Sequence, residues 1–267
     1  MDLTHTLTTT YNSRSLGGMK TADGGTIADV LFRSDALDQL DSQGQENLKK
    51  LNIGTVIDMR TKEGSSQSKD HLPDHIEYVS LPMAGGAMDE NVKEVLPKAG
   101  APSNLTQEQL EKLLAKVPTL DEIYIGILTD DSKQFATFAR TIIKAAGTDK
   151  PGVLFHCTAG KDRTGLTTAL LLSLAGVPEK DIVADYTITQ ENTSGEFGKK
   201  LSSLITALGV PMTPRIETIV LKSPASTLEN ALAWVKTHHK DAAGYFKNAG
   251  LSEEEIVQLK AAIIKKS

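Results

Sequence analysis

A cysteine and an arginine with five residues between them, set between an apolar run and a helical pattern, constrain this chain more than any other feature. The segment reads Val153-Leu-Phe-His-Cys-Thr-Ala-Gly-Lys-Asp-Arg-Thr-Gly165. Val153, Leu154 and Phe155 have the continuous apolar character of a buried strand. Residues 165–175 carry the pattern of a buried helix. The loop 157–163 therefore runs into a helix start, where unpaired N–H groups and the helix dipole favour an anion. Gly160 permits a bend that a Cβ would obstruct.

The side chains complete the chemistry. A helix start and a neighbouring arginine favour the thiolate form of a cysteine, and a thiolate is a strong nucleophile. Arg163 offers a planar fork for two oxygens of one phosphate. The amides of Thr158, Ala159, Gly160 and Lys161 are placed to hold the remaining oxygens as the phosphoryl group flattens in transfer. A lone cysteine ahead of a helix is ordinarily a small core residue. The joint spacing of Cys157, Gly160, Arg163 and Thr164 favours a phosphate pocket with a nucleophile at its base.

The string His156-Cys-x5-Arg-Thr resembles the signature of the cysteine-dependent protein tyrosine phosphatases. The fuller run, 156–165, is similar to the bacterial tyrosine and phosphoinositide phosphatases of the PtpB/LipA type. The resemblance implies that Cys157 forms a phosphocysteine intermediate and that Arg163 binds the phosphoryl oxygens. It further implies that Thr164 hydrogen-bonds the cysteine sulfur, that His156 orders the loop, and that Asp162 transfers the proton. Arg14 with Leu16-Gly-Gly18, Phe32-Arg-Ser-Asp-Ala-Leu37, Val56-Ile-Asp-Met-Arg60 and Glu63 resemble the same family, with Ser15 where the family pattern favours Asp. By that likeness Asp58, Arg60 and Glu63 lie near the phosphate pocket, with Arg60 either contacting substrate or bracing a loop. The implied fold is α/β: a tyrosine-phosphatase-like central sheet of four or five strands flanked by helices, with a helical insert.

The rest of the chain is consistent with that layout. Strands are expected at 30–34, 53–59 and 76–81, the last alternating as a half-buried strand does. A helix over 42–51 has Ser42 as its expected N-cap. Asp23-Gly-Gly25 signals a turn between two extended pieces. Residues 83–118 form the insert, with a helix expected over 104–116 that is either a plain surface helix packed on the core or, from its place in the chain, a lid over the pocket. Buried helices are expected at 119–128 and 132–146, with Asp130-Asp131 as the N-cap of the second. The segment 177–186 looks like the helix that backs the phosphate loop in the resembling family. From about 196 to 267 the pattern is helical, with Ser252 and Glu255 as a capping box and Trp234, Tyr245 and Phe246 in the core. The whole of 1–267 reads as a single domain.

Bulk properties exclude several classes. A net charge of −5 implies no general attraction to nucleic acid. The single cysteine excludes an intrachain disulfide and deprives a thiol redox enzyme of its resolving partner. The six histidines show no metal-ligand spacing, so neither a metal nor any other cofactor is expected. No stretch is long enough to span a bilayer, and the first residues have neither a basic region nor an apolar core. A cytoplasmic location is expected, or secretion if this chain is a trimmed mature form.

Phosphotyrosine is the expected substrate, with phosphoserine, phosphothreonine and phosphoinositide monoesters behind it. Lys161 is expected at the pocket rim, where its charge would suit substrates with several phosphates. A phosphoinositide-preferring enzyme is the alternative, and a non-catalytic phosphate-binding module a remote one. Asp130 and Asp131 are the other candidates for the proton donor. Partners beyond the phosphorylated substrate, and the oligomeric state, are not legible.

Overall fold

The computed structural model describes residues 7–84, 116–207 and 210–266. Its centre is a five-stranded sheet of β1 (Arg14–Ser15), β3 (Leu31–Ser34), β4 (Ile53–Asp58), β5 (Glu77–Ser80) and β6 (Gly152–His156). The spatial order is β1-β3-β6-β4-β5, with β1 antiparallel and the other four mutually parallel. β6 is central and buried along its whole length. That is why its sequence is a continuous apolar run rather than an alternating one.

Alternation decides which face each residue serves. Val153 and Phe155 join Leu31 and Ile57 in the larger core, while Leu154 joins Phe32, Val56 and Ile53 in the smaller one. The smaller core is covered by α1 (Ser42–Lys50) through Leu48, with Leu7, Leu37 and Leu40. The larger core receives α3 (Leu120–Asp130), α4 (Ser132–Ala146) and α5 (Asp162–Ala175). Every residue of α5 except Ser173 is buried. A helix apolar on all sides belongs between a sheet and an outer layer. α6 (Glu179–Thr193), α9 (Ala225–His239), α10 (Ala242–Asn248) and α11 (Glu253–Ile263) provide that layer. α2 (Lys62–Gln67), α7 (Glu196–Ala207) and α8 (Pro214–Leu221) complete the described helices.

Several expectations shift. α1 is capped by Asp41, whose carboxylate accepts from the Gly44 N–H at 2.7 Å, and not by Ser42. An aspartate one residue earlier offers a stronger acceptor to the same turn. α5 begins at Asp162, three residues before Gly165, so Asp162 and Arg163 stand on its first turn. Asp131 precedes α4 but makes no side-chain cap; its carboxylate accepts from the Ala84 N–H at 3.0 Å. The capping box of Ser252 and Glu255 is present, and α3 has another in Thr119 and Glu122. Tyr245 and Phe246 are fully buried, whereas Trp234 is half-buried against that core.

The end of the chain departs from the all-helical pattern. β2 (Thr26–Ile27) pairs with β7 (Ile264–Lys265) in a separate two-stranded sheet. The helix expected through Ile264 stops one residue short because Ile264 enters that ladder. The helix expected over 104–116 and the body of the insert lie outside the described residues.

Candidate active site

The parallel register sets the site. Ser34 of β3 and Asp58 of β4 both align with His156 of β6, so three strand ends open on one edge. Open α/β sheets present ligand crevices at this carboxyl edge. The loop 157–161 leaves β6 there and runs into α5. Cys157 is 3% exposed, followed by an exposed Thr158 and a half-buried Ala159.

Gly160 has a φ of +63°, and a Cβ there would lie 2.5 Å from the Ser34 carbonyl oxygen. Both the left-handed backbone and the close approach to β3 require glycine. The carbonyls of this loop are all tied on one side. Thr158 O accepts from the Ala36 N–H at 3.1 Å. Asn12 Nδ2 donates to the carbonyls of Ala159 and Gly160, each at 3.0 Å, and Arg33 Nη2 donates to that of Gly160 at 2.7 Å. In a trans peptide the C=O and the following N–H point in opposite directions. Anchoring those three carbonyls therefore turns the N–H groups of Ala159, Gly160 and Lys161 to the opposite side. Three convergent amides beside a helix start form a nest for an anion.

The anchors are themselves held by a buried ion cluster. Asp185 of α6 accepts from Arg14 Nε at 2.7 Å and Arg33 Nη1 at 2.5 Å. Arg33 is wholly buried; burial and the charge of Arg14 bring its guanidinium down to about 10, still cationic at neutral pH. Burial opposes ionisation of Asp185, but Arg33 and Arg14 outweigh it and lower the carboxyl. Thus α6 does back the loop, through Arg33. Asn12, Arg33 and Asp185 had no assigned role in the sequence reading. One signal was present: an arginine inside the apolar run Val30-Leu-Phe-Arg-Ser34 demands a buried partner.

A second cluster sits under Cys157. His156 Nδ1 lies 3.1 Å from the Cys157 carbonyl oxygen, and Nε2 lies 3.0 Å from Asp70 Oδ2. Burial disfavours the charged ring, but the charges of Asp70 and Asp58 outweigh it and raise His156 to about 8. Burial likewise opposes Asp58, yet His156 and Arg60 bring it down to about 2. Arg60 is 3% exposed; Nε and Nη2 grip Asp58, Nη2 also reaches Asp70 at 2.9 Å, and Nη1 reaches Ser68 O at 2.8 Å. A guanidinium so engaged braces the strand end, the second of the two expectations for Arg60. Asp58, Asp70 and His156 could converge on a cation, their ligand atoms lying within 4.8 Å of one another. Arg60 and Tyr78 already donate into that space, so it functions as an ion-pair network.

This network has a pH signature. His156 titrates near 8 in the fold against 6.5 ordinarily, a difference worth about 2 kcal/mol. Because the folded value is raised, that stability is fully present below pH 6.5 and is lost as the pH rises through 8. Urea melts at pH 6 and pH 9 are expected to show the midpoint falling at the higher pH. An unchanged or rising midpoint would contradict a charged His156.

The remaining residues divide. Arg163 Nη1 donates to the carbonyls of Met59 at 3.0 Å and Met83 at 3.4 Å, which orients it from the end of β4. Thr164 is fully buried and its hydroxyl has no hydrogen-bond partner, so the expected bond to the Cys157 sulfur is not made. Asp162 Oδ1 accepts from Tyr124 at 3.1 Å, and Tyr124 in turn meets Tyr186 at 2.7 Å. Lys161 overturns its expectation. It is 2% exposed, not at a solvated rim; its ammonium donates to the carbonyls of Ile219 at 2.5 Å and Lys222 at 3.2 Å, and pairs with Asp162 at 3.4 Å. The C-terminal carbonyls of α8 attract the cation away from solvent.

A family model described as the tyrosine phosphatase family matches residues 5–265, and the chain belongs to that family. Among its relatives is a tyrosine-protein phosphatase of Nostoc commune, 30% identical over 241 residues, covering 88% of this chain and 74% of the relative. Another is the triple specificity protein phosphatase PtpB of Mycobacterium tuberculosis, 26% identical over 251 residues, covering 88% and 90%. The solved structure of TpbA from P. aeruginosa is 16% identical with a TM-score of 0.35, covering 84% of this chain and 88% of that one. The protein is a phosphoric monoester hydrolase of the tyrosine phosphatase type. Among the described residues no helix is long and apolar enough to cross a membrane.

Proposed function

We propose that this chain hydrolyses phosphotyrosine monoesters through a phosphocysteine intermediate on Cys157. The observation that carries the reading is the one-sided anchoring of the Thr158, Ala159 and Gly160 carbonyls, which aims successive amides at the space beside a thiol. Cys157 Sγ attacks phosphorus in line as the ester P–O bond breaks. Asp162 supplies the proton that the departing oxygen takes. Water then attacks phosphorus, the S–P bond breaks, and phosphate leaves with the thiolate restored. Arg163 and the loop amides hold the three equatorial oxygens throughout. Asp162 is assigned the proton role from the resemblance and from its place on the first turn of α5, directly after the loop. Phosphoserine, phosphothreonine and phosphoinositide monoesters are secondary substrates in this reading, in keeping with the triple specificity in the name of the Mycobacterium tuberculosis relative.

The test is hydrolysis of a phosphotyrosine peptide against a phosphoinositide panel in EDTA, by wild type and Lys161→Ala. Phosphotyrosine turnover is expected to survive chelation, since thiolate, amides and arginine supply the electrostatics. Lys161→Ala is expected to lower kcat/KM about tenfold or more on both substrates alike, because a buried brace misplaces the loop for every substrate. Activity lost in EDTA and restored by zinc or manganese would replace the thiol mechanism. A loss confined to phosphoinositides would favour the lipid-preferring alternative.

A further inference from the structure

We propose that Tyr124, backed by Tyr186, is a positioning residue that fixes which oxygen of Asp162 carries the proton given to the leaving group. The inference rests on the assignment of Asp162 as proton donor and names what orients it. Three helices bring the groups together: Asp162 opens α5, Tyr124 comes from α3 and Tyr186 from α6. The Tyr124 hydroxyl donates to Asp162 Oδ1 at 3.1 Å and meets the Tyr186 hydroxyl at 2.7 Å. A phenol has one proton to give. With the Tyr124 proton directed at Asp162, the contact between the two phenols is made by the Tyr186 proton. The hydrogen bonds thus run one way, from Tyr186 to Tyr124 to Oδ1.

Lys161 meets the same oxygen. Its ammonium lies 3.4 Å from Asp162 Oδ1 and can only donate. An oxygen that faces a phenol proton and an ammonium is an acceptor, and a proton placed on it would be opposed by both. The proton that Asp162 transfers therefore belongs on Oδ2. As that proton passes to the ester oxygen the carboxyl becomes a carboxylate, and the bonds to Oδ1 strengthen because their acceptor becomes charged. That stabilisation is gained in the transition state rather than before it. When water attacks the phosphocysteine, its proton returns to Oδ2 and restores the acid.

The pair is packed for this role. Tyr124 is fully buried and Tyr186 is 1% exposed, with the rings edge to face at 6.1 Å. Burial raises the phenol of Tyr124 well above its ordinary value, with Tyr186 and Asp162 adding to it; burial and then the charge of Asp162 raise that of Tyr186. Both therefore stay protonated and remain donors. Gly165 makes room for them, since a Cβ there would lie 3.0 Å from Tyr186 Cδ2.

Phenyl phosphate and p-nitrophenyl phosphate separate the role, because p-nitrophenolate departs with little need of a proton and phenolate gains from one. Asp162→Asn is expected to lower kcat/KM on phenyl phosphate about a hundredfold, and on p-nitrophenyl phosphate about tenfold less than that. Tyr124→Phe keeps the ring and is expected to cost about tenfold on phenyl phosphate and less than about twofold on p-nitrophenyl phosphate. Added to Asp162→Asn, it is expected to cause no further selective loss, as for two residues acting through one proton. Tyr186→Phe is expected to show the same selectivity at about threefold, and it carries the test where Tyr124→Phe fails to fold. Equal losses on both substrates from Tyr124→Phe, or a selective loss that persists in the Asp162→Asn background, would overturn the positioning role and leave Asp162 as the donor. Equal losses from Asp162→Asn would remove Asp162 as donor, and the positioning role with it.

Discussion

Replacement of Cys157 by serine is expected to lower phosphotyrosine turnover by three orders of magnitude or more, about 4 kcal/mol of lost transition-state stabilisation. Serine is nearly isosteric with cysteine, and the site is 3% exposed between β6 and α5. The fold and the amide cradle therefore persist. On the proposed mechanism what is lost is the sulfur nucleophile, since a hydroxyl is a far poorer one without a base to deprotonate it. Substrate binding is expected to remain, measurable as retention of a phosphotyrosine peptide by the inactive variant. Steady-state kinetics and a thermal melt check both halves. Turnover within tenfold of wild type would remove Cys157 from the mechanism.

Asp185→Asn is expected to cost about 3–5 kcal/mol of stability, a large share of the 5–15 kcal/mol a domain ordinarily has. Asparagine preserves the shape but strips the anion from between Arg14 and Arg33. Two guanidiniums then share a buried site with no compensating charge, Arg33 having no exposure at all. The melting temperature is expected to fall by about 10 °C. Turnover falls as well, because Arg33 Nη2 is an anchor of the Gly160 carbonyl and a loosened anchor lets the loop amides drift. The sign with pH follows from the lowered Asp185 carboxyl. Its contribution is present above the ordinary carboxylate range and is lost as pH falls through the depressed folded value, so the gap between variant and wild type closes in strong acid. A variant melting within about 2 °C of wild type would show that Asp185 does not carry the cluster.

These two variants separate what sequence and structure each supply. Cys157 belongs to a contiguous string, and Gly160 lies within the same string. Short-range chemistry needs no tertiary contact to be read: thiol, glycine bend, arginine fork and helix start lie within nine residues. Asp185 is different. It lies in an ordinary-looking helical segment, and its charge gains meaning only when α6 packs where Arg14 and Arg33 converge. Asp70 is less legible still, in a polar stretch with the composition of a solvated turn.

The two cations beside the loop share one cause of illegibility. Lys161 is expected at a solvated rim, and Arg60 stays open between substrate and brace, because long charged side chains normally face water. Lys161 instead meets the carbonyls that end α8, and Arg60 meets Asp58 and Asp70. Nothing local announces an acceptor 58 positions away along the chain. By itself the sequence determined the loop of the proposed nucleophile and the strand and helix either side of it, because periodicity and spacing are local properties, and the same short string carried the resemblance to the family. Tertiary structure alone decided which charges are spent on bracing and which way the loop amides point. Those depend on parallel register and helix packing, which bring Asn12, Arg33, Asp70 and Asp185 to the strand ends from distant parts of the chain.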